Sequence, residues 1–191
     1  MMCCAMTNHA PLLRLARKLR QFVRDRRGVS AVEFAMLLPL MVTLYLGGVE
    51  VSQGISADRK VTLTTRAVAD LASRVTSINN ADMSNILNAS SAVMTPYSKA
   101  NLKVTVTCVN IDATGKATVS WSDTYNGTAR AKGSAVTLPS ALNVANTSLI
   151  WSEVEYAYTP TIGYVITGTL TLKDQIYMRP RLSDTVTRAN S

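Results

Sequence analysis

The sequence predicts an α+β protein in which a long N-terminal transmembrane helix packs by its outer half on an antiparallel β-sheet. Three observations carry that expectation. Residues 29–49 read VSAVEFAMLLPLMVTLYLGGV, with Glu33 as the single charge. A helical apolar pattern continues beyond residue 50. After residue 100 the hydrophobic period changes to two, the period of a strand.

The apolar run is long enough to cross a bilayer. At 1.5 Å per residue it spans about 31 Å, close to the roughly 30 Å of bilayer hydrocarbon. Its inner flank is strongly basic. Residues 1–28 hold seven bases (Arg14, Arg17, Lys18, Arg20, Arg24, Arg26 and Arg27) against one acid, Asp25, a net +6 of the chain's +8. The rule that positive flanks stay inside therefore keeps the N-terminus in the cytoplasm and translocates residues from about 50 onward. The remaining 163 residues are nearly neutral at +2 and make a poor phosphate-binding surface, so nucleic acid is not an expected partner. Two other readings of the run are a buried helix of a soluble protein and a secretory signal cut near Ala57. Its length and its missing polar face argue against both.

Three features interrupt the run. Glu33 costs about 2.5–3.5 kcal/mol if ionised at the centre of a membrane helix, and less near an end. It either snorkels toward the basic flank or awaits a cation from another subunit. Pro39 has no N–H and frees the carbonyl of Ala35, which predicts a kink or local unwinding over 35–39. Gly47 and Gly48 add flexibility at the outer end or permit close packing.

The residues Arg24-Asp25-Arg26-Arg27-Gly28-Val29-Ser30-Ala31-Val32-Glu33-Phe34-Ala35 resemble a type IV prepilin processing site. The leader and the string RRGVSAVEFAMLLPL are most similar to the TadE/TadG-like family, pilin-like proteins of the bacterial tight-adherence (Flp-type) pilus system. The resemblance implies cleavage by a prepilin peptidase between Gly28 and Val29, which makes Glu33 the fifth mature residue. Arg24, Arg26 and Arg27 then belong to the basic leader, and Glu33 with Phe34 to the assembly segment. Flp pilins usually carry Tyr where this chain has Phe34. They are also far shorter, so the additional 140 or so residues imply a minor pilin or pseudopilin. The implied partners are the peptidase, the major Flp-type pilin, other minor pilins and the inner-membrane pilus platform. The implied setting is the bacterial inner membrane with a periplasmic domain, entering an extracellular pilus. The resemblance also implies a type IV pilin-like architecture. Residues 154–160 and 178–181 resemble the family's ending with less specificity.

The spacing has a chemical rationale. A new α-amino group at Val29, whose pKa in a free peptide is about 7.7–8.0, is largely cationic at neutral pH. The carboxylate of Glu33 on a neighbouring subunit can neutralise it within the bilayer and set the stagger between helices.

The expected organisation is a leader over 1–28, a transmembrane helix over 29–49, a helix extension over 50–79 and an extracytoplasmic α+β domain over 80–191. Val61, Val68, Leu71 and Val75 share one face of the extension, and the whole helix reaches about 45 residues, or roughly 68 Å. A short helix is expected over 81–87, ending before Thr95-Pro96. Val104, Val106 and Cys108 mark a first strand, and Ala117, Val119 and Trp121 a second. Asn126-Gly127 is read as a hairpin turn. Ile150, Val154, Tyr156 and Tyr158 mark a third strand, with Glu153 and Glu155 on its wet face. Ile162, Tyr164, Ile166, Leu170 and Leu172 mark a long fourth segment, extended by Ile176 and Met178, with Gly163 and Gly168 as bends or bulges. The strands are expected to form a meander.

Catalysis is not expected. His9, in the leader, is the only histidine, so the translocated part has no Ser-His or Cys-His pair. No phosphate-binding glycine motif occurs. Glu153 and Glu155 read as a solvated strand face. Cys3 and Cys4 fall on the cytoplasmic side, and the lone Cys108 reads as a small core hydrophobe. No metal or other cofactor is expected. The alternative to a fibre subunit is an unprocessed single-pass protein that presents its domain to a partner protein or the cell wall.

Overall fold

The computed structural model describes residues 27–189, with Arg27 described by its backbone alone. Arg24, Arg26, His9, Cys3 and Cys4 lie outside the described residues. By its internal contacts the chain divides into two compact units, with the boundary between Leu46 and Gly47.

The first helix, α1, runs over Arg27–Ser73, 47 residues. It is helical throughout with Pro39 inside it, so of the kink or local unwinding expected over 35–39 the unwinding is absent. One hydroxyl supplements the backbone at that point, as Thr43 Oγ1 donates to the Pro39 carbonyl at 2.8 Å. From Gly28 to Tyr45 every residue is exposed. From Ala57 onward the helix acquires a buried stripe of Ala57, Val61, Thr64, Thr65, Val68, Ala69 and Ala72. The Thr-rich stretch is compatible with burial because Thr64 and Thr65 return their hydroxyls to the carbonyls of Lys60 and Val61. Leu71 does not share this stripe. It is 41% exposed, and the small Ala72 takes the buried place beside it. Val75 lies beyond the helix end and packs, partly buried, against the core.

Helix α2 covers Asn80–Val93 and is twice the length expected. Its start is fixed by a capping box. The Asn79 side chain accepts from the Asp82 N–H at 2.9 Å, and Asp82 accepts from the Asn79 N–H at 3.3 Å. A two-residue strand β1, Ser77–Ile78, lies just before it.

The main sheet contains β2 (Leu102–Ile111), β3 (Ala117–Tyr125), β4 (Thr147–Tyr158) and β5 (Leu170–Met178), in the order β3-β2-β4-β5. All three pairings are antiparallel. The order is not a simple meander, because β4 pairs with β2 rather than with β3. Asn126-Gly127 therefore closes no hairpin. Asn126 does adopt φ 52°, but its amide donates to the carbonyls of Lys99 and Leu102 and ends β3 instead. The β2–β3 hairpin turns earlier. There Asp112 Oδ1 accepts from the N–H groups of Thr114 and Lys116.

The inner face of the sheet carries Val104, Val106, Cys108, Trp121, Ile150, Val154, Tyr156 and Tyr158. These lie in one buried cluster with Ala57, Val61, Val68 and Ala72 of α1, and with Met83, Ile86 and Leu87 of α2. A smaller cluster forms on the other face, where Val109, Ile111, Ala117 and Leu149 are covered by Val136, Leu138 and Leu142 of the β3–β4 connection. Part of that connection also lines the edge of β3 through the bridge between Thr118 and Ala135. A final short strand, β6 (Thr187–Arg188), pairs in parallel with β1.

The fourth apolar segment is not one strand. Ile162, Tyr164 and Ile166 lie in a loop, and β5 begins only at Leu170. Gly163 and Gly168 take φ 65° and 95°, values that break an extended run. The N–H groups of residues 164–166 are engaged elsewhere, as described next.

Candidate functional site

The first candidate segment is the start of α1. Gly28 and Val29 lie at the N-terminal end of the described part of α1. Val29 is 57% exposed and Phe34 60%. Val29 and Glu33 are one turn apart, on the same helix face. Glu33 is exposed and has no ion-pair partner among the described residues. An 18-residue window of this helix reaches a mean hydropathy of 1.9 with none of it buried, so the helix is long and apolar enough to cross a membrane. Lipid would satisfy such a face.

The second site is not evident from the sequence. Glu50, one residue past the apolar run, is fully buried. Its Oε1 accepts the Tyr164 N–H at 2.6 Å, and its Oε2 accepts those of Val165 at 2.9 Å and Ile166 at 2.7 Å. Three successive backbone donors thus converge on one carboxylate. The Ile166 N–H is the main cause that holds this carboxyl below its usual range. Burial pushes the other way, and the Tyr164 and Val165 donors reinforce the lowering. The loop also comes close to the helix at Gly47, where a Cβ would stand 3.2 Å from Val165 Cγ2. The sequence signal is an acid directly after an apolar run, matched by a glycine-containing apolar stretch 114 residues later. Periodicity alone cannot pair two such distant segments.

Around Glu50 the core is aromatic. Tyr97 sits edge-on to Tyr156 and Tyr158, with ring centroids 6.1 and 6.2 Å away. The Tyr97 hydroxyl donates to the Gln53 carbonyl at 3.2 Å.

The third candidate lies on the outer face of the sheet. Glu153 and Glu155 share that face, as expected, but each is matched by cations. Arg130 makes a two-pronged contact with Glu153 and lies 3.8 Å above the Trp151 ring, which in turn stacks on Tyr177. Glu155 pairs with Lys173 at 2.9 Å and Lys103 at 3.3 Å. The Lys173 contact is the main reason its carboxyl is held low, with burial opposing and Lys103 adding to it. Arg130, Glu153, Glu155, Lys103 and Lys173 line an open groove of about 680 Å³. Nothing in the sequence singles out Arg130, because it sits in an irregular connection 23 residues from its partner.

Cys108 is fully buried in the main cluster, and burial pushes its thiol pKa up. Among the described residues no group of three His, Cys, Asp or Glu is placed to hold a metal ion.

The family model described as TadE-like protein matches residues 28–70. That stretch is thus TadE-like, in agreement with the resemblance carried by residues 24–35. The match begins at Gly28 and covers most of α1. No curated protein matches the chain, and no solved structure does.

Proposed function

We propose that the chain is a minor pilin or pseudopilin of a Tad (type IVc-like) pilus, structural rather than catalytic, with a role in pilus biogenesis and adhesion. The observation that carries this reading is Glu33. It is an acid without an ion-pair partner among the described residues, on an exposed apolar helix, within the TadE-like stretch. A charge in lipid is retained only when something meets it. In this reading a prepilin peptidase cuts after Gly28, and the Val29 amine of one copy meets Glu33 of the next. The chain sits in the inner membrane with its basic flank inside. Its sheet domain lies in the periplasm, joined to the anchor in a pilin-like manner. The prepilin peptidase, the major Flp-type pilin, other minor pilins and the assembly platform are its partners.

Mass spectrometry of the mature N-terminus tests the cleavage step, with Val29 as the expected first residue. Retention of residues 1–28 in piliated cells would remove processing from the mechanism. Glu33→Ala should leave cleavage intact and reduce assembly, and normal piliation in that variant would remove the pairing. Gly28→Ala should block processing and piliation. A stably anchored binding module would be indifferent to that change.

A further inference from the structure

Given the membrane-anchored reading of residues 29–49, on which it rests, we infer that the loop 162–166 is a second membrane contact, held against the end of the anchor by Glu50. Its partner is the lipid surface of the outer leaflet.

Height is the first ground. Val165 meets α1 at Gly47, and the three N–H donors meet it at Glu50. These two positions lie about 5 Å apart along a helix axis. Gly47 belongs to the apolar run and Glu50 ends it. The loop therefore stands level with the last turn of the run, at the boundary between hydrocarbon and headgroups. That interfacial layer is about 5–8 Å deep on each side of a bilayer.

The loop's chemistry fits the same layer. Ile162, Tyr164 and Val165 are 47%, 56% and 50% exposed. A loop with this composition facing water leaves apolar area uncovered, whereas at a membrane surface an aromatic with aliphatic neighbours is favoured. Loop backbone near hydrocarbon is tolerated only when its polar groups are satisfied. Glu50 satisfies three of them at once, and they in turn compensate its charge without water. The acid is hidden from lipid, since Glu50 is 0% exposed while Val51 beside it is 48% exposed. One interaction thus solves two problems of the interface, an unsolvated carboxylate and three unsolvated N–H groups.

The full chain, reconstituted in phosphatidylethanolamine/phosphatidylglycerol nanodiscs, tests this with spin labels introduced one at a time. Cys3 and Cys4 are replaced by Ser, and the buried Cys108 is retained. Labels at Ile162→Cys and Val165→Cys are read by collision with oxygen, which concentrates in lipid, and with a nickel chelate, which stays in water. Leu44→Cys marks lipid and Ala129→Cys marks water. The expected result is an oxygen-to-nickel ratio at both loop sites several-fold above that at Ala129→Cys and approaching that at Leu44→Cys. Adding Glu50→Gln should lower the loop ratios toward the water reference and leave Leu44→Cys unchanged. Loop ratios equal to the water reference, with Leu44→Cys still in lipid, would overturn the second contact and leave the anchor standing. Loop ratios indifferent to Glu50→Gln would overturn the clamp. A water-like ratio at Leu44→Cys would instead remove the anchor itself, and the loop contact with it.

Discussion

Glu50 shows how one side chain couples acidity to structure. Its carboxyl is held below the usual range by N–H donors present only in the folded chain. The stabilisation is therefore complete above the unfolded-state pKa of about 4.3 and is lost as pH falls through the lower folded value. Glu50→Gln removes that dependence. In acid titrations followed by circular dichroism, the variant should be less stable than the parent at neutral pH, and the gap should close in acid. A constant gap would mean that Glu50 does not titrate with folding. Tyr158 makes the opposite case. Its hydroxyl is buried and lacks a hydrogen-bond partner among the described residues. Tyr158→Phe deletes a desolvated group and keeps the ring packing against Tyr97. Its Tm is expected to match or exceed the parent's, and a clear fall would reveal a role for the hydroxyl.

At the scale of elements, local rules are legible in the sequence and distant pairings are not. The period-two runs at Val104–Cys108 and Ile150–Tyr158 lie in strands with the expected face inward, because alternation is written into neighbouring residues. In Ala117–Trp121 the register shift opposite Cys108 and Val109 sends Trp121 to the main cluster and Ala117 to the smaller one on the other face. The sheet order is not legible. Asn126-Gly127 has the chemistry of a turn and takes a positive φ, but which strand follows next in space is decided by the buried cluster, not by the turn. The same holds for residues 162–166, whose alternation reads as a strand while their N–H groups belong to Glu50. Helix α2 obeys a local rule that hydrophobic periodicity does not reveal. Asn79 followed by Asp82 is a capping box, and it sets the start of the helix one residue earlier than expected. Asn79→Ala should cost about 1 kcal/mol, read as a lower denaturant midpoint at unchanged slope. Asp82→Ala should cost a similar or smaller amount. An unchanged midpoint in both would mean that α2 is fixed by packing alone.

The whole molecule is asymmetric in charge, and that asymmetry bears on orientation before any fold exists. Six of the eight net positive charges precede residue 29, and the apolar run follows at once. The residues of the proposed anchor are legible because membrane insertion reads sequence directly, through length, hydropathy and flanking charge. The Glu50 clamp is not legible because it exists only after the chain has folded back on itself. The orienting role proposed for the flank can be separated from the fold. Replacing Arg24, Arg26 and Arg27 with Gln reduces the leader from +6 to +3 and leaves every described side chain untouched. With alkaline phosphatase fused to the C-terminus, active only when exported, the parent should give full activity. The triple variant should give a reduced and mixed signal, since orientation follows the balance of Lys and Arg near the membrane. Full activity in the triple variant would place the orienting information in Arg14, Arg17, Lys18 and Arg20 or in the sheet domain. Absent activity in the parent would put that domain on the cytoplasmic side and exclude a periplasmic pilin altogether.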